Sequence, residues 1–350
     1  MCLLRAAGSG LRTVDKSGGF FYFLLNSGLR QSLPLSAAIF EVTIMADTTF
    51  TAELTRARLQ SLFLRAAALA PDAGKTLMPL EGFFIARRPP CEQLCAGHEH
   101  PTVFLQLSGV RTYIGAGTTV RCVRGDMVRL LFEQTSVFRI EAAEDAPEMI
   151  TLGLTISEER LRRVAAAMPA APASGSRQLP ASAAPVSTEP ADGRWLDHFS
   201  ELLTLCESPE RLAVLGDALL DVVHYELLAG SWGESLRALV CEPDSLLGQV
   251  AHGISLITRN ATRDEPVERV AAAAGLTASR FTRAVRELLG QTPLQYRKDA
   301  RLALARNLIT ETKLTNEQIA QRLGYTSTSQ FVQEYRRKFG VAPRSTVVCL

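Results

Sequence analysis

Apolar positions recur with two different periods along this chain, and the changes of period divide it. From Leu54 to Leu69 they fall at helical spacing, at Leu54, Leu59, Leu62, Phe63, Ala66 and Leu69. Short apolar or alternating runs follow: "GFFIARR", "TVFLQLSG", "VRTYIGAG", "TTVRCV", "DMVRLL", "VFRIEA" and "EMITLGLTI". They are punctuated at Gly109, Gly115–Gly117, Gly125–Asp126 and Ala146–Pro147. Short strands so spaced predict a small antiparallel sandwich or barrel over about residues 76–156. "SEERLRRVAAAM" predicts a helix with Ser157 as its N-cap. Residues 169–193 are rich in Ala, Pro and Ser and hold no aromatic residue, which predicts a flexible linker. Helical spacing returns over Trp195–Leu228, as two helices separated at Ser208–Pro209. From Asp244 to Pro343 the pattern is nearly all helix.

Charge divides the chain at the same place. Residues 1–244 carry 22 Lys+Arg against 28 Asp+Glu, and residues 245–350 carry 16 against 8, a local net of +8. A neutral or acidic body with a basic C-terminal third predicts a polyanionic partner for that third. The 350 residues, 47% hydrophobic and 21% charged, allow a buried core and about two domains.

The basic third contains an internal repeat. "GLTASRFTRAVRELLGQTP" starts at Gly275 and "GYTSTSQFVQEYRRKFGVAP" at Gly324. Phe281 aligns with Phe331, Gly290 with Gly340 and Pro293 with Pro343, each 50 residues apart. Upstream, "VERVAAAAG" matches "NEQIAQRLG", with Ala271 on Ala320. Each copy reads as a helix-turn-helix. A small alanine allows two helices to cross closely, and the turn glycine accepts positive φ. A second helix follows, N-capped by Thr277 or Ser327. Its predicted inner face is Phe281, Val285 and Leu288 in one copy and Phe331, Tyr335 and Phe339 in the other. Its outer face is Ser279, Arg280, Thr282, Arg283 and Arg286, or Thr328, Ser329, Gln330, Gln333, Arg336 and Arg337. Small hydroxyl and amide side chains near a helix start suit base edges in a major groove, and the later cations suit phosphates. Between the copies, a helix opening at Pro293 carries a stripe of Leu294, Leu302, Ala305, Leu308 and Ile309. It is expected to hold the two modules about one DNA turn, roughly 34 Å, apart.

On "VERVAAAAGLTASRFTRAVRELLGQTPLQYRKDARLALAR" and "IAQRLGYTSTSQFVQEYRRKFGVAP", residues 250–345 resemble the AraC/XylS family of bacterial transcription regulators. "EHPTVFLQLSGVRTYIGAGTTVRCVRGDMVRLL" is similar, more loosely, to the cupin-like sensor domain of an AraC-type subgroup. The resemblance implies an α+β two-domain protein, a cupin-like barrel with helices ahead of an all-α double helix-turn-helix. It also implies promoter DNA and RNA polymerase as partners, and a small-molecule effector held by the barrel. Two departures stand out: Gln333 where many relatives carry Arg, and the ending "PRSTVVCL", which predicts a frayed C-terminus.

The domains so expected are a disordered or over-long start (1–44), a cupin-like regulatory domain (45–168), the linker (169–193), a helical region (194–243) and the DNA-binding domain (244–345). The broad apolar face of Trp195–Leu228 predicts homodimerisation.

Other chemistry is thin. Cys91, Cys95, His98 and His100 spell a C-x3-C-x2-H-x-H run whose histidines lie too close for a usual zinc finger. Cys91 and Cys95 also read as a thiol sensor, although Glu92 and Glu99 work against a low thiol pKa. No further histidine occurs between His100 and His198 to complete a metal cupin site, and no phosphate loop or serine nucleophile elbow appears. A cofactor, a resident metal and an enzymatic activity are therefore not expected. Seven scattered cysteines do not form a disulfide framework, and no apolar run reaches the roughly 18–20 residues of a membrane span. The expected location is a reducing cytoplasm.

Overall fold

The computed structural model describes the backbone except at residues 1–4, 7–9, 15–19, 25–34, 99, 115–118, 133, 144–145, 170–177 and 347–350. Within the described backbone, the side chains of residues 1–51, 92–98, 134–137 and 311 are left undescribed. The chain forms two compact units, residues 1–54 and 55–350. The first holds a three-stranded antiparallel sheet of β1 (Arg5–Ala6), β2 (Gly10–Val14) and β3 (Phe20–Leu24), followed by helix α1 (Leu35–Leu69), which continues into the second. The other breaks expected at Gly115–Gly117 and much of the expectation for residues 1–44 lie outside the described residues.

The strands of the second unit are β4 (Gly74–Leu77), β5 (Phe83–Arg88), β6 (Cys91–His98), β7 (Thr102–Ser108), β8 (Val110–Ile114), β9 (Thr119–Cys122), β10 (Asp126–Leu130), β11 (Gln134–Glu141), β12 (Met149–Thr155) and β13 (Val186–Pro190). They form one antiparallel sheet in the order β13-β10-β7-β12-β5-β4 and a second in the order β6-β11-β8-β9. Alternation decides what each face buries. Phe84, Phe104, Val128 and Met149 of the larger sheet meet Tyr113, Cys122, Phe138 and Ile140 of the smaller one. The intervening residues Phe83, Ile85, Val103, Leu105, Met127, Leu152 and Leu154 face the other way, into a core built with helices.

Those helices are α1, α2 (Glu158–Ala167), α3 (Gly193–Cys206), α4 (Pro209–Ala229), α5 (Gly233–Val240) and α6 (Leu246–Arg259). Ser157 caps α2 by accepting the Arg160 N–H, and Pro209 starts α4. The chain is thus an α+β protein, with a β-rich N-terminal part and a helical C-terminal part.

The stretch expected to be a flexible linker is corrected where it is described, over 178–193. Residues 186–190 form β13, the edge strand paired antiparallel to β10, with Glu189 opposite Met127. Thr188 Oγ1 donates to the Met127 carbonyl at 3.1 Å, and Ala183 is buried in the main core. Low apolar content hid this strand, because an edge strand needs backbone partners more than it needs large side chains. Its attachment is completed by Arg129 on β10, fully buried. Arg129 donates to the Ser182 and Ala184 carbonyls at 2.8 and 2.9 Å and to Ser235 Oγ on α5 at 2.5 Å.

Candidate nucleic-acid interface

The basic third folds as α7 (Val267–Ala273), α8 (Ala278–Leu289), α9 (Pro293–Glu311), α10 (Asn316–Arg322) and α11 (Thr328–Phe339). The pairs α7–α8 and α10–α11 are the two helix-turn-helix copies. Both turn glycines have positive φ, +73° at Gly275 and +78° at Gly324. Both copies also end on a left-handed glycine, Gly290 and Gly340. Thr277 accepts the Arg280 N–H and Ser327 the Gln330 N–H, so each second helix is capped at the predicted residue. Thr315 and Gln318 form a capping box at the start of α10.

The repeat packs by the same residues in both copies. Ala271 and Phe281 are buried in the first module, as Ala320 and Phe331 are in the second. Pro293 and Pro343 are also buried. Tyr335 and Phe339 complete the second core; in the first, Ala284 and Val285 are buried and Leu288 is only half-buried. The first module shares a continuous core with α6 and the β-rich part, whereas the second builds its own core with α9.

This packing leaves the predicted outer faces in solvent. Ser279, Arg280, Arg283 and Arg286 are exposed and Thr282 is half-buried on α8; Ser329, Gln330, Gln333, Arg336 and Arg337 are exposed and Thr328 is half-buried on α11. On α11, Thr328, Ser329, Val332, Gln333, Arg336 and Arg337 line one shallow concavity. Small polar groups stand at the helix start and guanidinium groups in its last turn.

Three features of this region escape the sequence pattern. Leu294, placed on the apolar stripe of α9, is 55% exposed. Arg297, Arg301 and Arg306 are buried on the same helix instead. Arg301 donates from Nε to the Ala261 carbonyl at 2.8 Å and from Nη2 to Asp264 Oδ1 at 2.6 Å, and its guanidinium lies 5.8 Å from the Tyr325 ring centre. Arg306 lies over Phe339 at 5.1 Å. A basic residue within an apolar helix period signals such a role only after its partners are placed. Third, the C-terminal segment expected to fray is held as far as Thr346, whose Oγ1 lies 2.8 Å from the Tyr335 hydroxyl. Residues 347–350 lie outside the described residues.

The possible sensor cysteines do not stand as a free pair. Cys91 is disulfide-bonded, and the Cys95 and His98 side chains lie outside the described ones. Burial pushes the free thiols of Cys122 and Cys206 up to about 11, away from reactive thiolate. Among the described residues no cluster of His, Cys, Asp and Glu could hold a metal ion, and no helix is long and apolar enough to cross a membrane.

The profile of the AraC-type transcriptional regulator N-terminus matches residues 79–235, and a helix-turn-helix domain profile matches residues 270–347. The chain belongs to the AraC family of transcriptional regulators. Among the curated relatives, the HTH-type transcriptional regulator AlkR of Acinetobacter baylyi is 33% identical over 78 residues, 22% of this chain and 26% of that protein. The probable transcriptional regulator LumQ of Photobacterium leiognathi is 38% identical over 77 residues, 22% of this chain and 31% of that one. The probable thc operon regulatory protein of Rhodococcus erythropolis matches at 27% over 157 residues, 43% of this chain and 47% of that one. The matched segments thus span less than half the length of these curated relatives. Apo ToxT of Vibrio cholerae aligns with a TM-score of 0.50 at 12% identity, over 75% of this chain and 95% of that one, a likeness of fold alone.

Proposed function

We propose that this AraC-family chain regulates transcription by placing α8 and α11 in successive major-groove segments of a promoter. One observation carries the reading: two modules repeat one packing scheme and leave equivalent polar and basic faces open. In this reading Ser279, Arg280, Thr282, Arg283, Thr328, Ser329, Gln330 and Gln333 approach base edges, while Arg286, Arg336 and Arg337 hold phosphates. Gln333 suits adenine, whose N6 and N7 form a donor–acceptor pair matching an amide. The N-terminal sandwich takes a small-molecule effector, and RNA polymerase is the second macromolecular partner.

A second copy of the chain is the third. On α4, Leu215, Ala218, Val222, Tyr225 and Ala229 are exposed, and their 3-4-3-4 spacing is that of a two-helix seam. Deep sequencing of genomic fragments selected by the purified protein tests the DNA reading. The expected motif has two contact blocks about one helical turn, roughly 34 Å, apart. Diffuse, salt-sensitive enrichment without a motif would refute sequence-specific reading.

A further inference from the structure

Between the two sheets of the sandwich lies a cation that meets no carboxylate among the described residues. Arg111 on β8 is 3% exposed. Its Nη1 donates to the Tyr113 hydroxyl at 2.8 Å. Its other edge, Nε and Nη2, points at a single atom, the Met149 thioether sulfur, at 3.2 Å from both nitrogens. The guanidinium is also enclosed by the rings of Phe138, Phe104 and Tyr113, centred 5.0, 5.1 and 5.7 Å away. Neither Arg111 nor Arg88 pairs with a carboxylate among the described residues.

Arg88 makes the arrangement unusual. It sits at the end of β5, opposite Met149 in the register of the larger sheet, and is half-buried. By alternation Arg88 shares the inter-sheet face of β5 with Phe84 and Ala86, as Arg111 shares that of β8 with Tyr113. Burial first, and the charge of Arg111 second, lower the pKa of Arg88. Two like charges in a partly desolvated site repel, and an anion between them removes that repulsion. Thioether sulfur is a weak, neutral acceptor on a flexible side chain and therefore easily displaced. The Nε–Nη2 edge that it occupies is the fork that matches both oxygens of a carboxylate.

We propose that the space between Arg88 and Arg111 is the effector site and that it takes an organic monocarboxylate. The carboxylate replaces Met149 sulfur on the Arg111 fork and neutralises Arg88, while the apolar body lies against Phe104, Tyr113 and Phe138. The inference rests on the reading of the sandwich as the effector domain and names the ligand's class.

The test uses the full-length protein. Thermal unfolding is followed with phenylacetate and hexanoate, each beside its neutral amide. The acids are expected to raise Tm by roughly 5 °C at a hundredfold excess over Kd, and the amides not. Arg88→Gln and Arg111→Met are expected to abolish the shift. Arg88→Gln touches a half-buried side chain with no ion pair among the described residues, so it is expected to fold and to raise the Tm of the free protein by relieving repulsion. Equal shifts from acid and amide, or an acid shift that survives in both variants, overturn the carboxylate site. No shift from either class, together with an unchanged or lower Tm for free Arg88→Gln, overturns it as well. An acid shift of Tm that leaves promoter affinity unchanged upholds the anion site and refutes effector control.

Discussion

Arg301 on the helix between the two modules reaches Asp264 on the loop before the first module, with Nη2 at 2.6 Å from Oδ1. The same guanidinium caps the Ala261 carbonyl and stacks near Tyr325 at the turn of the second module. One side chain therefore joins both modules. Replacing Arg301 with alanine leaves a buried carbonyl without its donor, a loss of about 2 kcal/mol in denaturant unfolding. Because spacing between the modules is affected, DNA carrying both contact blocks is expected to lose more affinity than DNA carrying one. Equal losses on the two DNAs would show that Arg301 acts on folding alone.

Gly324 and Gly340 separate two costs that usually occur together. Both have positive φ, +78° and +76°. A β-carbon at Gly324 would lie 2.8 Å from the Thr262 carbonyl oxygen, whereas one at Gly340 meets nothing within 4 Å. Gly340→Ala is expected to cost only the left-handed penalty, about 1–2 kcal/mol. Gly324→Ala adds a backbone clash and is expected to cost measurably more, and to disturb the contact between the modules. Equal unfolding midpoints for the two variants would contradict this packing.

Exposed cations on α8 and α11 predict the salt dependence of DNA binding. Removing a phosphate contact at Arg286, Arg336 or Arg337 reduces the slope of log K against log salt by about 0.9 each. Gln333→Ala is expected to leave that slope unchanged and to relax preference at one base pair, worth about 1–3 kcal/mol. As surface changes, these should alter stability by no more than about 0.5 kcal/mol. Salt titrations on matched and mismatched DNA distinguish the two behaviours.

His224 on α4 is buried as a neutral ring. Its Nε2 accepts the Ser157 N–H at 3.1 Å, and Nδ1 lies 2.7 Å from the Leu220 carbonyl. Burial lowers its pKa below the ordinary 6.5, opposed by the Leu220 hydrogen bond; Arg160 reinforces the shift, while Asp221 and Glu81 oppose it. The unfolded chain therefore binds more protons just below pH 6.5. Stability is full above that value, falls as pH drops toward the folded pKa, and levels off below it. Unfolding at pH 7 and pH 5 should show a smaller difference for His224→Gln than for the unaltered chain. An identical difference would place the sensitivity elsewhere.

The seam on α4 gives the last prediction. Val222→Lys places a charge at the centre of Leu215, Ala218, Val222, Tyr225 and Ala229, all already exposed. It should leave the monomer's fold intact and abolish dimer sedimentation at micromolar concentration. A monomeric unaltered chain under the same conditions would remove the seam as an interface.

Where the sequence was legible, the signals were local. Phe281 and Phe331, Thr277 and Ser327, and Gly275 and Gly324 are each required by geometry within one or two helical turns, and repetition 49 or 50 residues later doubled the signal. The short apolar runs around Phe83–Phe84 and Val103–Phe104, cut by turn residues, likewise read as strands, and in the fold pleating sends those neighbours into opposite cores. The residues missed were those whose role depends on a distant partner. Val186–Pro190 reads as linker until β10 offers its edge, and nothing in the local pattern marks Arg301 until Ala261 and Asp264 arrive beside it.

The amino-acid order by itself thus determined the two modules, their turns and their solvent-facing helices, since backbone conformation and side-chain period act over a few residues. Only the tertiary structure decided that Arg129, Arg301 and Arg111 are buried, and only it decided what each one faces. A guanidinium is tolerated inside a protein by virtue of its partners. Those partners, 53 residues along the chain for Arg129 at the Ser182 carbonyl and 37 for Arg301 at Asp264, are brought close by the fold and by no local pattern.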